Sequence, residues 1–231
     1  MPTVDAPPRE AILKDLLEKV QVKYKAYDAT LESFTQLKEL LHELCNDMNE
    51  MLEEKQEVPT RLEYRDRGKF DAEVKIADDI LIFSMHSDVF LFDRKHLAWN
   101  TPYLRKEPAA AYCGMINIYN FLSDSFKYNR TDDLGYLIGR IFINKDKRFF
   151  VEGKRQSNFN YHTFGEKSMD KEAITAIIET AILYSIEFDL LVPPYDINKE
   201  ATVGQMNTKI ENARLQTGKR VGFGFHSDDI W

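Results

Sequence analysis

In the run Asp71-Ala72-Glu73-Val74-Lys75, a carboxylate and an ammonium group stand two residues apart. On an extended strand that spacing puts both side chains on one face. Glu73 could then hold Mg²⁺ through oxygen while Lys75 sits beside a scissile phosphate or an attacking water, the E-x-K arrangement of one large class of metal-dependent nucleases. Asp66 or Asp71 could supply a second carboxylate. Any half-exposed strand of mixed charge produces the same triplet, however, and a further hairpin follows where that nuclease core has a helix. The expected reading is a solvated strand face, with a Mg²⁺-dependent phosphodiesterase as an alternative.

Other reactive side chains are scattered. His86-Ser87-Asp88 recurs as His226-Ser227-Asp228, but members of a catalytic triad converge from separate segments, and Ser and Asp are ordinary turn formers. His42, His96 and His162 show no metal-ligand spacing. Cys45 falls on a helical apolar stripe and Cys113 opens an apolar run, which suits inert packing. No glycine-rich phosphate loop occurs, Gly222-Phe223-Gly224 being only a fragment of one. These observations lead to the expectation of no cofactor and no metal.

A basic hairpin is a stronger candidate for binding. Arg140, Lys145, Lys147, Arg148, Lys154 and Arg155 give the segment 140–155 a local charge of +4, with Phe149, Phe150, Phe159 and Tyr161 interleaved or close by. Cations beside rings suit single-stranded nucleic acid, phosphates meeting Lys or Arg and bases stacking on aromatics. Against that, consecutive Phe149 and Phe150 point to opposite faces, so at least one meets the core. Hairpin tips are also charged for edge protection.

The elements that must position these residues follow from a shift in composition. From Arg9 to Val58 there is no Gly or Pro, and apolar residues recur in steps of three and four: Leu13, Leu17, Val20, Tyr24, Tyr27, Leu31, Phe34, then Leu41, Cys45, Met48 and Leu52. The pattern predicts a helix about 75 Å long at 1.5 Å per residue. A compact chain of this size has a radius of gyration of about 17 Å, so the helix must project or fold back. Leu16, Leu37, Leu44 and Met51 widen the stripe beyond a bare coiled-coil seam. Two arrangements fit: a self-associating coil through Leu17, Val20, Tyr24, Tyr27, Leu31, Phe34 and Leu41, or intramolecular packing, with a break near Ser33 where Ser33-Phe34-Thr35-Gln36 matches a capping box.

Residues 60–165 hold 19 of the chain's 28 aromatics and six of its ten glycines, which predicts sheet. Strands are expected at 70–76, 80–83, 89–92, 140–143 and 148–151; over 113–122 Tyr112, Met115, Ile116, Tyr119 and Leu122 have helical spacing, but the Ile, Asn, Tyr and Phe content favours a strand. A helix capped by Ser168 and facing the core with Ile174, Ile177, Ile178, Ala181, Ser185 and Phe188 should follow, closed by Pro193-Pro194. A poorer helix is expected over 198–217, then a tail that is an edge strand or a mobile end. The fold class is α+β: a long N-terminal helix or helical hairpin over 1–58, and over 59–231 a domain of about five to seven mostly antiparallel strands with C-terminal helices.

The 231 residues are 43% hydrophobic and 30% charged, an ordinary globular composition. A net charge of −7 argues against indiscriminate nucleic-acid binding, and two cysteines exclude a disulfide scaffold. There is no basic start followed by an apolar run, and no membrane-length apolar stretch, so the expected location is cytoplasmic with no membrane partner. Without a convergent catalytic set, the function expected is a non-enzymatic binding, assembly or regulatory module. It would bind itself, as a dimer or higher oligomer, or a partner protein through the N-terminal helix, with nucleic acid as an alternative ligand of the hairpin.

Overall fold

The computed structural model describes residues 8–55, 60–131, 133–153, 164–187, 202–204 and 207. The expected helix over 198–217 therefore lies almost wholly outside the described residues, as do Phe188, Pro193-Pro194 and the C-terminal tail. Chain contacts divide the protein into two units, one holding the residues up to Ser123 together with Leu134–Glu187, the other Asp124–Asp133 and the residues beyond Glu187.

The first unit opens with α1 (Pro8–Asp15), a π-helical segment (Leu16–Val20) and α2 (Gln21–Lys55). The capping-box break does not occur: Ser33 is buried within α2 and its Oγ donates to the Ala29 carbonyl one turn back, so the hydroxyl is satisfied inside the helix. The irregularity falls at Leu16–Val20 instead. A π turn takes up an extra residue, which rotates what precedes it by about 100°. That brings Ile12 and Leu16 toward the line of Val20 and Tyr24, with Leu13 and Leu17 alongside.

Seven antiparallel strands follow: β1 (Leu62–Asp66), β2 (Asp71–Ile76), β3 (Asp79–Met85), β4 (Phe90–Leu91), β5 (Tyr112–Leu122), β6 (Tyr136–Asn144) and β7 (Phe149–Gly153), in the order β1-β2-β3-β5-β6-β7 with β4 beside the start of β5. The fold is thus α+β, as the composition shift implied. β1 was not foreseen from sequence; its alternation of Leu62 and Tyr64 with charged residues is short. Between β4 and β5 run two single turns of 3-10 helix and α3 (Pro102–Lys106). A short helix α4 (Ser123–Lys127) falls between β5 and β6 in the chain, and α5 (Lys171–Ile186) is capped by Asp170, whose carboxylate accepts the Ala173 N–H, and not by Ser168.

Both faces of the sheet are packed. On one, Phe34, Leu37 and Leu41 of α2 and Ile174, Ile177 and Ile178 of α5 meet Val74, Leu81, Phe83, Ile116, Ile141 and Phe149. On the other, Phe92, Leu104 and Phe164 cover Cys113, Phe142 and Phe150. The alternation of strand side chains thus sends Phe149 into one core and Phe150 into the second. Helix and sheet approach closely at Gly114, where an added Cβ would stand 2.2 Å from Thr30 Oγ1. In the second unit Ser125 Oγ donates to Asp133 (2.7 Å) and Arg130 stands 3.9 Å from the same carboxylate.

Candidate functional site

The E-x-K pair lies on one face of β2, as the spacing requires, but its groups are engaged. Glu73 is buried, Arg67 donating to its Oε2 from Nε (2.7 Å) and lying 2.6 Å away through Nη2, with Arg65 Nη1 3.8 Å from Oε1. Lys75 Nζ donates to Glu63 (3.3 Å), which holds the Glu63 carboxyl below its usual range. An ammonium occupied by a carboxylate two strand positions away from Glu73's arginines is arranged as a charge network across β1 and β2. Among the described residues, no group of three or more His, Cys, Asp or Glu side chains is placed to hold a metal ion.

The basic hairpin forms as expected, β6 and β7 pairing Ile143 with Phe149. Asn144 shapes its turn by accepting the backbone N–H groups of Asp146 and Arg148, each at 3.0 Å, while Lys147 takes a φ of 55°. The cations have partners: Arg140 with Glu152 (3.6 Å), Lys145 with Glu107 and Asp146, Lys147 with Glu32 (2.6 Å), and Arg148 Nη1 with the Glu166 carbonyl (3.1 Å). The bond to Glu107 raises the Lys145 ammonium above its ordinary range, with burial opposing. Phe149 and Phe150 are both core residues, which removes them as stacking platforms. Lys154, Arg155, Phe159 and Tyr161 lie outside the described residues.

Each described histidine has a structural task. His42 packs on Tyr64, ring centroids 5.3 Å apart. His96 stacks on Phe92, accepts the Ala98 N–H at Nδ1, and so turns Nε2–H to Glu152 at 3.2 Å. His86 Nδ1 accepts the Asp88 N–H, which closes the first His-Ser-Asp run into a turn. His162 and the second run lie outside the described residues. Burial pushes the Cys45 thiol up to about 11 and the Cys113 thiol well above its usual value.

The long helix divides along its length. Phe34 and Leu41 are fully buried in the core against the sheet, so they serve intramolecular packing and are not presented to a partner. Tyr27 and Leu31 flank that core and are partly buried. Toward the N-terminus the stripe continues exposed: no residue from Pro8 to Val20 is buried, and Ile12, Leu13, Leu16, Leu17 and Tyr24 are each more than half exposed. At the junction a groove of about 550 Å³ opens between Val20, Lys23, Tyr24 and Tyr27 on the helix and the turn Ser87-Asp88-Val89. Lys23 Nζ lies 5.5 Å from the Tyr112 ring centroid. The groove joins the helical stripe to the first His-Ser-Asp turn, a neighbourhood that no sequence spacing announced. Among the described residues, no helix is long and apolar enough to cross a membrane.

No protein-family model matches the chain, and neither the curated proteins nor the solved structures include one significantly similar to it.

Proposed function

We propose that the chain is a non-enzymatic binding and assembly module that self-associates through the exposed apolar face at the start of its long helix. One observation carries this reading: about 25 Å of helix, residues 8–24, keeps an apolar face exposed while the same helix buries its apolar face from Ala26 to Cys45. An apolar strip of that length rimmed by charge is the form of a helix-docking surface. The contact area is small, so association in the micromolar range is expected. Two buried, unpaired cysteines support a reducing compartment, in keeping with a cytoplasmic location.

Sedimentation equilibrium tests the reading. The wild-type chain should shift from monomer to dimer across the micromolar range, and Leu13→Glu/Leu17→Glu should remain monomeric with unchanged circular dichroism. A wild-type chain that stays monomeric throughout would sink it. The described hairpin cations, Arg140, Lys145, Lys147 and Arg148, are already paired and favour neither nucleic acid nor another acidic ligand over this reading.

A further inference from the structure

Among the described residues, β1 is the outermost strand at its end of the sheet, paired with β2 on one side. In an antiparallel pair, alternate residues turn their N–H and C=O toward the neighbouring strand, and the others turn theirs away. The Arg67 N–H donates to the Asp71 carbonyl (3.0 Å), which sets the phase. Glu63 and Arg65 therefore bond β2, while the backbone groups of Leu62, Tyr64 and Asp66 face outward. Outward groups of this kind are a template on which another chain's strand can be laid.

The far end of α2 closes that template. Asn49 Oδ1 accepts the Leu62 N–H (2.8 Å), and its Nδ2 donates to the Leu62 carbonyl (2.9 Å). A carboxamide carries an acceptor and a donor in one plane, as a peptide group does. Asn49 thus makes the two bonds that a residue of a neighbouring strand would make. Earlier in the helix, His42 packs on Tyr64, and Lys38 Nζ reaches the Asp66 carboxylate (2.6 Å) and the Gly68 carbonyl (2.9 Å). Asparagine is disfavoured within helices because its amide competes for backbone bonds, and here the backbone it bonds is the strand's.

We propose that Asn49 is an edge plug: its side chain stands in for a neighbouring strand and keeps β1 from pairing with β1 of a second copy. The chain carries a strand that its own edge would accept. Two copies of β1 related by a two-fold axis at Tyr64 bring outward groups to outward groups, Tyr64 to Tyr64 and Leu62 to Asp66. The plug holds whichever way the exposed helical face is used.

Hydrogen exchange and sedimentation of the full chain test it, in a Leu13→Glu/Leu17→Glu background that takes the helical face out of play. With Asn49 intact, the Leu62 amide should exchange as slowly as those of Glu63 and Arg65, although it faces away from β2. Fast exchange there overturns the plug. Asn49→Ala should speed exchange at Leu62 about tenfold, leave the circular dichroism unchanged and produce a concentration-dependent dimer absent from the parent. A variant that stays monomeric with Leu62 exchanging fast overturns the guarding role, since a mere anchor would change stability alone. So does a variant that unfolds, because Asn49 is then a strut of the fold. Asn49→Asp keeps the acceptor for Leu62 and sets a charge on the edge, so it should remain monomeric with Leu62 protected. A dimer of that variant also overturns the proposal.

Discussion

Asp79 stands at the start of β3 beside Asn120, and its carboxyl is raised above the usual range, burial being the main cause and the Asn120 amide opposing it. A folded-state value above the unfolded value of about 3.9 means that this residue's contribution is fully present below that pH and is lost as pH rises through the raised value. Asp79→Asn is therefore expected to stabilise the protein at pH 7, by an advantage over wild type that shrinks to nothing as pH falls below 4, measured by urea unfolding at a series of pH values. The cysteines act differently. With Cys45 at about 11 and the Cys113 thiol pushed by burial well above its usual value, neither forms thiolate in quantity at pH 8. Alkylation by iodoacetamide should be slow in the folded chain and speed up as urea unfolds it; fast labelling in native buffer would contradict the burial. Cys45 was legible from its place on the helical stripe, whereas the environment of Asp79 depends on Asn120, forty-one positions away.

At the scale of elements, β2 and β3 are joined by the tight turn Ala77-Asp78, and Ala77 holds a φ of 50°. Glycine adopts that conformation at no steric cost, so Ala77→Gly should raise stability by about 0.5–1 kcal/mol in chemical denaturation. Gly114 makes the reverse case. With Thr30 in the way of a side chain, Gly114→Ala should force α2 off β5 and cost about 1–3 kcal/mol. Periodicity and turn residues made most strands readable, and β5 emerged as the strand that its Ile, Asn, Tyr and Phe content favoured over its helical spacing. The cap of α5 moved from Ser168 to Asp170 because both lie at a plausible start and only the backbone path selects between them. A π segment leaves no compositional mark, so Leu16–Val20 could not be read in advance.

For the whole molecule, the two ends of the long helix should respond oppositely to mutation. Leu41→Ala opens a cavity between α2 and the sheet and should cost about 2–5 kcal/mol in urea unfolding. Leu17→Glu removes an exposed apolar group and should change monomer stability by no more than about 0.5 kcal/mol, while abolishing association. If both variants lose stability equally, the N-terminal end is packed rather than open. The candidate surface was partly visible as a stripe too long for a compact body. Which half of that stripe faces the sheet was not, because Tyr24 and Phe34 lie on one and the same apolar stripe.

By itself the sequence determined the period of each segment: a helix without Gly or Pro, a sheet rich in aromatics, a hairpin turning at Asn144. These depend on neighbours three or four residues apart, or on alternating faces, and are written locally. Only the tertiary structure decided that Phe149 and Phe150 serve separate cores, that Glu73 is buried between arginines of a neighbouring strand and loop, and that the helix passes Ser33 unbroken. It also decided that the turn at Asp88 borders the helix at Tyr24. Those outcomes depend on which surfaces meet across long stretches of chain, and burial is settled by the partner a face finds rather than by the pattern that creates the face.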